Sequence, residues 1–179
     1  MLPVRTHLPI ANNVPSANIA ASAMSPRTLV LVPRAMSQRI EAPTSEDVDR
    51  IARQLIHAVQ CVVEATGCAL SGGTSDLTLL QRLLDSKLLE REATYSLQAL
   101  GVLFGKVFIE NNEHYDWWMV EDEYGRDPAI RYRETTLLVF PQTMISKRVE
   151  EGEAVDVQSL YEGLCDHLEE IRAENYRDV

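Results

Sequence analysis

The run from Trp117 to Arg148, WWMVEDEYGRDPAIRYRETTLLVFPQTMISKR, constrains the fold more than any other part of the chain. Three segments in and beside it have strand chemistry: Tyr115 to Asp122, Ala129 to Arg133, and Thr135 to Phe140. Gly125, Asp127 and Pro128 are turn residues, so EYGRDP closes a β-hairpin between the first two. A three-strand antiparallel meander follows as the simplest pairing. Pro141 ends it, and Gln142 to Glu150 reads as a short helix. Side chains alternate across a strand, so the neighbours Trp117 and Trp118 cannot both enter one core. Either helices cover both faces of the sheet, or one tryptophan lies at a binding surface, where this residue type is enriched among those that dominate affinity.

Helical signals surround the strands. Thr44, Ser45, Glu46 and Asp47 follow Pro43, supplying a capping hydroxyl and acids that complement a positive helix end. Val48, Ile51, Leu55, Val59, Val62 and Val63 then recur at spacings of three and four, with Arg53, His57, Gln60 and Glu64 opposite, and Gly67 as the stop. After SGGTSD, Leu77, Leu80, Leu83 and Leu84 set a second helix, with Ser75 and Asp76 at its cap. The third, roughly Leu89 to Ile109, contains Gly101 and Gly105. Each interior glycine costs about 1 kcal/mol against alanine, which close approach of another backbone would offset. Asp156 caps a last helix striped by Val157, Leu160, Leu164, Leu168 and Ile171. The expected fold class is α+β: a helix-rich domain with a small antiparallel three-strand meander, in the order helix-helix-helix-β-β-β-helix-helix.

Composition divides the chain. The first 40 residues hold Arg5, Arg27, Arg34 and Arg39, no acid, and five of the eight prolines. They read as a disordered or extension segment, with Met24 and Met36 as alternative starts and residues 28–32, TLVLV, as its one candidate strand. Residues 41–179 read as a single α+β domain, and at 45% hydrophobic content the chain can bury a core. Beyond residue 40 there are 27 acids against 13 bases, a net charge of −14. That balance disfavours nucleic acid and anionic membrane, which need clustered Lys or Arg, and favours a basic protein partner. No segment reads as a membrane span or secretory leader. Cys61, Cys68 and Cys165 are too few and scattered for a disulfide framework or zinc site, and fit a reducing cytoplasm.

Candidate chemistry is sparse. Glu121, Asp122, Glu123 and Asp127 lack the spaced acids and terminal Glu of a calcium loop, and Arg126, Arg131 and Arg133 stand close enough to neutralise them. No metal or cofactor is expected. His57 falls on a polar helix face and reads as solvated. His167 adjoins Cys165 and Asp166, but neighbours on a helix do not face each other, and His114 lies in the polar loop NNEHYD. With no nucleophile, base and orienting group together, catalytic residues are not assigned and an enzyme reading has little support.

LGVLFGKVF (Leu100 to Phe108), WWMVEDEYGRDPAIRY and LLVFPQTMISKRVEEGE (Leu137 to Glu153) form a set, with DLTLLQRLLD (Asp76 to Asp85) upstream. This set resembles the bacterial family catalogued as domain of unknown function 3806, over roughly residues 44–172. The resemblance implies a small helix-rich α+β domain with a polar signature at one hairpin and the next helix, here Asp122, Glu123, Gly125, Arg126, Asp127, Lys147 and Arg148. With Trp117 and Trp118, the charged members form the candidate binding set. Two functions are expected from it. The first is a non-catalytic acidic protein-binding module, most concretely an immunity-type protein that neutralises a bacterial toxin by steering onto its basic cleft. The second is an enzyme or small-ligand binder using the charged cluster at the hairpin turn. A homodimer through one tryptophan face is compatible with both.

Overall fold

A computed structural model describes residues 38–176. The first 37 residues, with the candidate strand at 28–32, lie outside the described residues. The fold is α+β, in the order β1 (Arg39–Glu41), α1 (Ser45–Thr66), α2 (Asp76–Asp85), α3 (Thr94–Asn111), β2 (Tyr115–Asp122), β3 (Gly125–Tyr132), β4 (Leu138–Val139), α4 (Pro141–Glu150) and α5 (Val157–Asn175). The expected meander is present as β2, β3 and β4, and β1 adds a fourth antiparallel strand beside β2, with Arg39 opposite Glu121 and Ile40 opposite Val120. Three residues are too short to show alternation, so β1 has no periodic signal.

The hairpin is tighter than its turn chemistry suggested. Asp122 pairs with Gly125, leaving only Glu123 and Tyr124 in the loop. Tyr124 N–H donates to Asp122 Oδ1, and Gly125 takes a φ of 140°, where a side chain would be strained. Asp127 and Pro128 therefore belong to β3. Pro128 is tolerated because β4 pairs with β3 only at Ile130 and Arg131, so no partner strand needs a proline N–H. Residues 135–137 turn instead of extending β4: Thr135 Oγ1 donates to Tyr132 O and accepts from Leu137 N–H.

At the centre lies α3. Leu97, Ala99, Leu100, Val102, Leu103, Phe104, Val107 and Phe108 are all buried, and they point in every direction around the helix. A helix apolar all round must be covered all round: α1, α2 and α4 pack on it, Tyr161 of α5 meets Phe104 and Phe108, and Tyr115 and Met119 bring the sheet. The two glycines let α4 approach. A Cβ on Gly101 would sit 2.3 Å from Pro141 O and 2.7 Å from Gln142 Cα. One on Gly105 would meet the Pro141 ring and the Trp117 indole, each at 2.8 Å. The expected backbone approach is thus the crossing of α3 by the first turn of α4.

The α1 cap is a full box: Asp47 N–H donates to Thr44 Oγ1, and Thr44 N–H donates to Asp47 Oδ2. Its buried face is rotated from the expected one. Asp47, Ile51, Gln54, Ala58 and Val62 are buried, whereas Val48, Val59 and Val63 are exposed. Gln54 turns inward because Gln142 of α4 donates to its Oε1 at 3.0 Å. At α2, Ser75 makes no capping bond, and buried Asp76 accepts from the backbone N–H groups of Ser71 and Gly72.

Gly101→Ala tests the crossing. Overpacking against backbone costs about 1–3 kcal/mol or more and outweighs the roughly 1 kcal/mol gained in helix propensity. Gly101→Leu is more severe. Gly163→Ala in α5, where nothing lies within 4 Å of the new methyl, serves as the control and raises the Tm. Thermal melts followed by circular dichroism decide it: a Gly101→Ala Tm at or above the parent value rules out the close crossing.

Candidate binding surfaces

The sheet sends its two tryptophans to opposite sides. Trp117 packs on Gly105 and Pro141 and touches both core clusters. Met119, on the same face, joins Ile51 and Val102. Trp118 points away. Arg131 lies over its ring at 4.2 Å from the centroid and is held there by donation from Nε to Thr135 O and from Nη2 to Glu134 O. The contacts with α1, α3 and α4 are thus on the Trp117 face, and helices covering both faces is not the arrangement found among the described residues.

The charges at the hairpin divide by role. Arg126 is a clamp. Its Nη1 donates to Glu41 Oε2 at 2.7 Å and its Nη2 to Asp47 Oδ2 at 2.9 Å, with Glu121 at 3.7 Å. Arg50 Nη2 adds a bond to Arg126 O. One guanidinium therefore joins β1, the start of α1 and the hairpin. Those bonds from Arg126 hold the Asp47 carboxyl far below the usual carboxylate range, and the Thr44 N–H and hydroxyl add to the effect against the opposing pull of burial. Glu41 is lowered chiefly by the same arginine.

Asp122, Glu123 and Asp127 remain exposed at the hairpin end. Lys147 and Arg148 lie on α4, where Lys147 is exposed and Arg148 Nη1 donates to Met144 O of its own helix at 2.6 Å. A hollow of about 440 Å³ is lined by Leu84, Leu89, Leu97 and Val149 together with Lys87 and Arg91, and none of the candidate binding residues lines it.

His57 is half-buried rather than solvated. Its Nε2 lies 2.9 Å from Ser96 Oγ and 3.7 Å from Cys61 Sγ, and its ring leans on Tyr95. Burial pushes the Cys61 thiol up, away from the thiolate a nucleophile requires. Among the described residues, no three His, Cys, Asp or Glu side chains are placed to hold a metal ion.

A surface that the sequence reading missed runs along α1. Val48 is 54% exposed, Ile56 59%, Val59 36% and Val63 40%, with exposed Ala52 between them. At about 100° per residue these five positions fill one continuous arc of roughly 80°, beside the buried arc and opposite Gln54. The signal was present in Ala52 and Ile56, which fit no single stripe with Ile51 and Val62. The helix carries two apolar faces, and only one is covered.

Acid titration tests the clamp. A carboxyl with a lowered pKa contributes stability that is fully present above the ordinary carboxylate range and drains away as pH falls below it. Asp47→Asn should therefore melt several degrees below the parent at pH 7, with the gap narrowing progressively from about pH 5 toward pH 1, because the folded parent's carboxyl stays ionised through the ordinary carboxylate range. A gap that stays constant across that range would show that Arg126 does not depress Asp47.

No curated protein matches this sequence. A crystal structure from Bacteroides thetaiotaomicron VPI-5482 is similar, with a TM-score of 0.68 at 17% identity, covering 73% of this chain and 48% of that one. At that identity the two share a fold, and this chain spans about half the length of that protein. Residues 76–161 match the model of the family described as "Domain of unknown function (DUF3806)". The matched segment contains α2, α3, the β2–β4 meander and α4 and ends inside α5, so it is shorter than roughly 44–172 and leaves β1 and α1 outside. Through this central segment the chain belongs to that family of unknown function.

Proposed function

We propose that the chain is a non-catalytic protein-binding module, most concretely an immunity-type protein that neutralises a bacterial toxin by direct contact. The observation that carries this reading is the uncovered apolar arc of α1. Large side chains left in water along a 22-residue helix have no use in the core. They suit a partner that presents a groove or a second helix to anchors spaced at three and four. The net charge of −14 beyond residue 40 supports a basic rim on that partner, since opposite fields accelerate encounter and exclude wrong partners.

The reading as an enzyme or small-ligand binder at the hairpin cluster gains less. Among the described residues, the carboxylate shifted far from its usual range is Asp47, which is locked onto Arg126, and the hollow lies among other residues. No helix among the described residues is long and apolar enough to cross a membrane. With three free cysteines, one of them exposed, a reducing cytoplasm is the proposed compartment.

Ile56→Asp with Val59→Asp, in the full chain, tests the reading. The parent should retain one basic protein from native host lysate in stoichiometric amount, with binding that weakens as salt rises. The variant, first shown to melt as the parent does, should bind that protein at least about 30-fold more weakly, since two apolar contacts of 1–2 kcal/mol each are replaced by buried charge. Equal binding by the two proteins, or no stoichiometric capture by the parent, would sink the proposal.

A further inference from the structure

The hollow of about 440 Å³ forms where two connections meet, residues 86–93 between α2 and α3 and residues 151–156 between α4 and α5. Its volume is that of a small-molecule site, for which about 300–1,000 Å³ is usual. Leu84, Leu89, Leu97 and Val149 give it apolar walls, Leu97 being fully buried and the other three half-buried. Those walls are fixed from both sides. Gln81 Nε2 donates to Val155 O and Gln81 Oε1 accepts from Val157 N–H, which ties the second connection to α2. Thr94 Oγ1 donates to Glu150 Oε1, which ties the start of α3 to the end of α4.

Two cations, Lys87 and Arg91, line this hollow in a strongly acidic domain. Arg91 lies against Gly152, where a Cβ would stand 2.9 Å from Nη1 and 3.2 Å from Cζ. The contact is not needed to close α4. Gly152, at a φ of 79°, donates its N–H to Val149 O, while Glu153 N–H donates to Arg148 O and Glu151 N–H to Lys147 O, so those carbonyls already have partners. Lys87 holds the matching position after α2 at a φ of 57°, where glycine is usual and another side chain carries strain. The carbonyls there are met as well, by Ser86 Oγ at Leu83 O and by Lys87 N–H at Leu84 O. Among the described residues neither cation forms an ion pair, although Glu90 and Glu153 line the same hollow. Two charges with no task in the fold thus border an apolar space.

We infer that this hollow binds a small monocarboxylic acid with a medium-length apolar chain. Arg91 takes the carboxylate, for which its planar fork of donors is suited, and Lys87 adds a point charge. The three leucines and Val149 cover the hydrocarbon. Each half of such a ligand answers a different part of the lining. An uncharged apolar molecule leaves both cations without a partner, and a compact anion leaves Leu84, Leu89 and Val149 half-wet. With Glu90 and Glu153 on the same lining, one negative charge is matched better than the two of a phosphate. None of the lining residues belongs to α1, so this site is separate from the proposed partner surface and the two fail independently.

Calorimetric titration of the full chain with decanoate, kept below the concentration at which that acid forms micelles, tests the site. The parent should bind one equivalent, and decanol, which lacks the charge, should bind at least about tenfold more weakly. Lys87 and Arg91 are both exposed, so Lys87→Gln with Arg91→Gln leaves the fold in place. That variant should bind decanoate at least about tenfold more weakly than the parent and decanol equally well. Ile56→Asp with Val59→Asp, which alters only the α1 face, should keep the parent's affinity for decanoate. The inference is overturned if the parent does not bind decanoate, if decanol binds as tightly, or if the Lys87→Gln, Arg91→Gln variant matches the parent. Loss of binding in the α1 variant overturns it too, by placing the acid on the apolar arc.

Discussion

The contact on which the domain depends is the backbone-to-backbone approach of α4 to α3 at Gly101 and Gly105. Helices normally pack 8–10 Å apart because side chains intervene. Here Pro141 and Gln142 lie where a Cβ would be, so the first turn of α4 rests on the α3 backbone itself. Three consequences follow from that seat. Pro141 needs no N–H at the first helical position, so it can begin a helix in a tight space. Gln142 reaches across α3 to bond Gln54 of α1, which satisfies two buried amides that would otherwise cost about 1–3 kcal/mol each. Trp117 fills the groove at Gly105, so the sheet, α3 and α4 meet at one point.

The second organising contact is the Arg126 clamp, which operates at the far end of the same sheet. β1 is three residues long and could not hold its place through strand pairing alone. Arg126 joins it to the capping box of α1 by binding Glu41 and Asp47 together. Asp47 thereby serves at once as cap partner of Thr44 and as counter-ion of the hairpin. A charge that sequence reading places in a recognition cluster is thus spent inside the fold. What remains for recognition at the hairpin is acidic: Asp122, Glu123 and Asp127.

Much of this architecture was legible in the residues, for identifiable reasons. Strand alternation required Trp117 and Trp118 to part, and they do. Glycine in a buried helix required a close neighbour, and Pro141 is one. The Thr44 and Asp156 caps were readable because they are local. The misreadings concern facts that no local pattern carries. The buried face of α1 is set by a hydrogen bond from a glutamine 88 positions away, so apolar periodicity alone selected the wrong valines. β1 is fixed by an arginine side chain rather than by its own composition. His57 looked solvated because Ser96, its partner, lies 39 residues further along the chain.

A domain with an uncovered apolar arc on α1 must still avoid sticking to itself. Its acidity supplies the means. Two copies approaching through α1 would each bring the field of a body with net charge −14 beyond residue 40, and that repulsion acts across a Debye length of about 8 Å at physiological salt. Asp49 lies on the same helix directly beside the arc, with Glu46 and Glu64 further round, so the nearest acid opposes a like partner at close range. A basic partner meets the same geometry with the sign reversed. On the binding function proposed above, the apolar stripe would supply affinity and the acids of the same helix would decide which surfaces are admitted, so the charge that opposes self-association would also give selectivity.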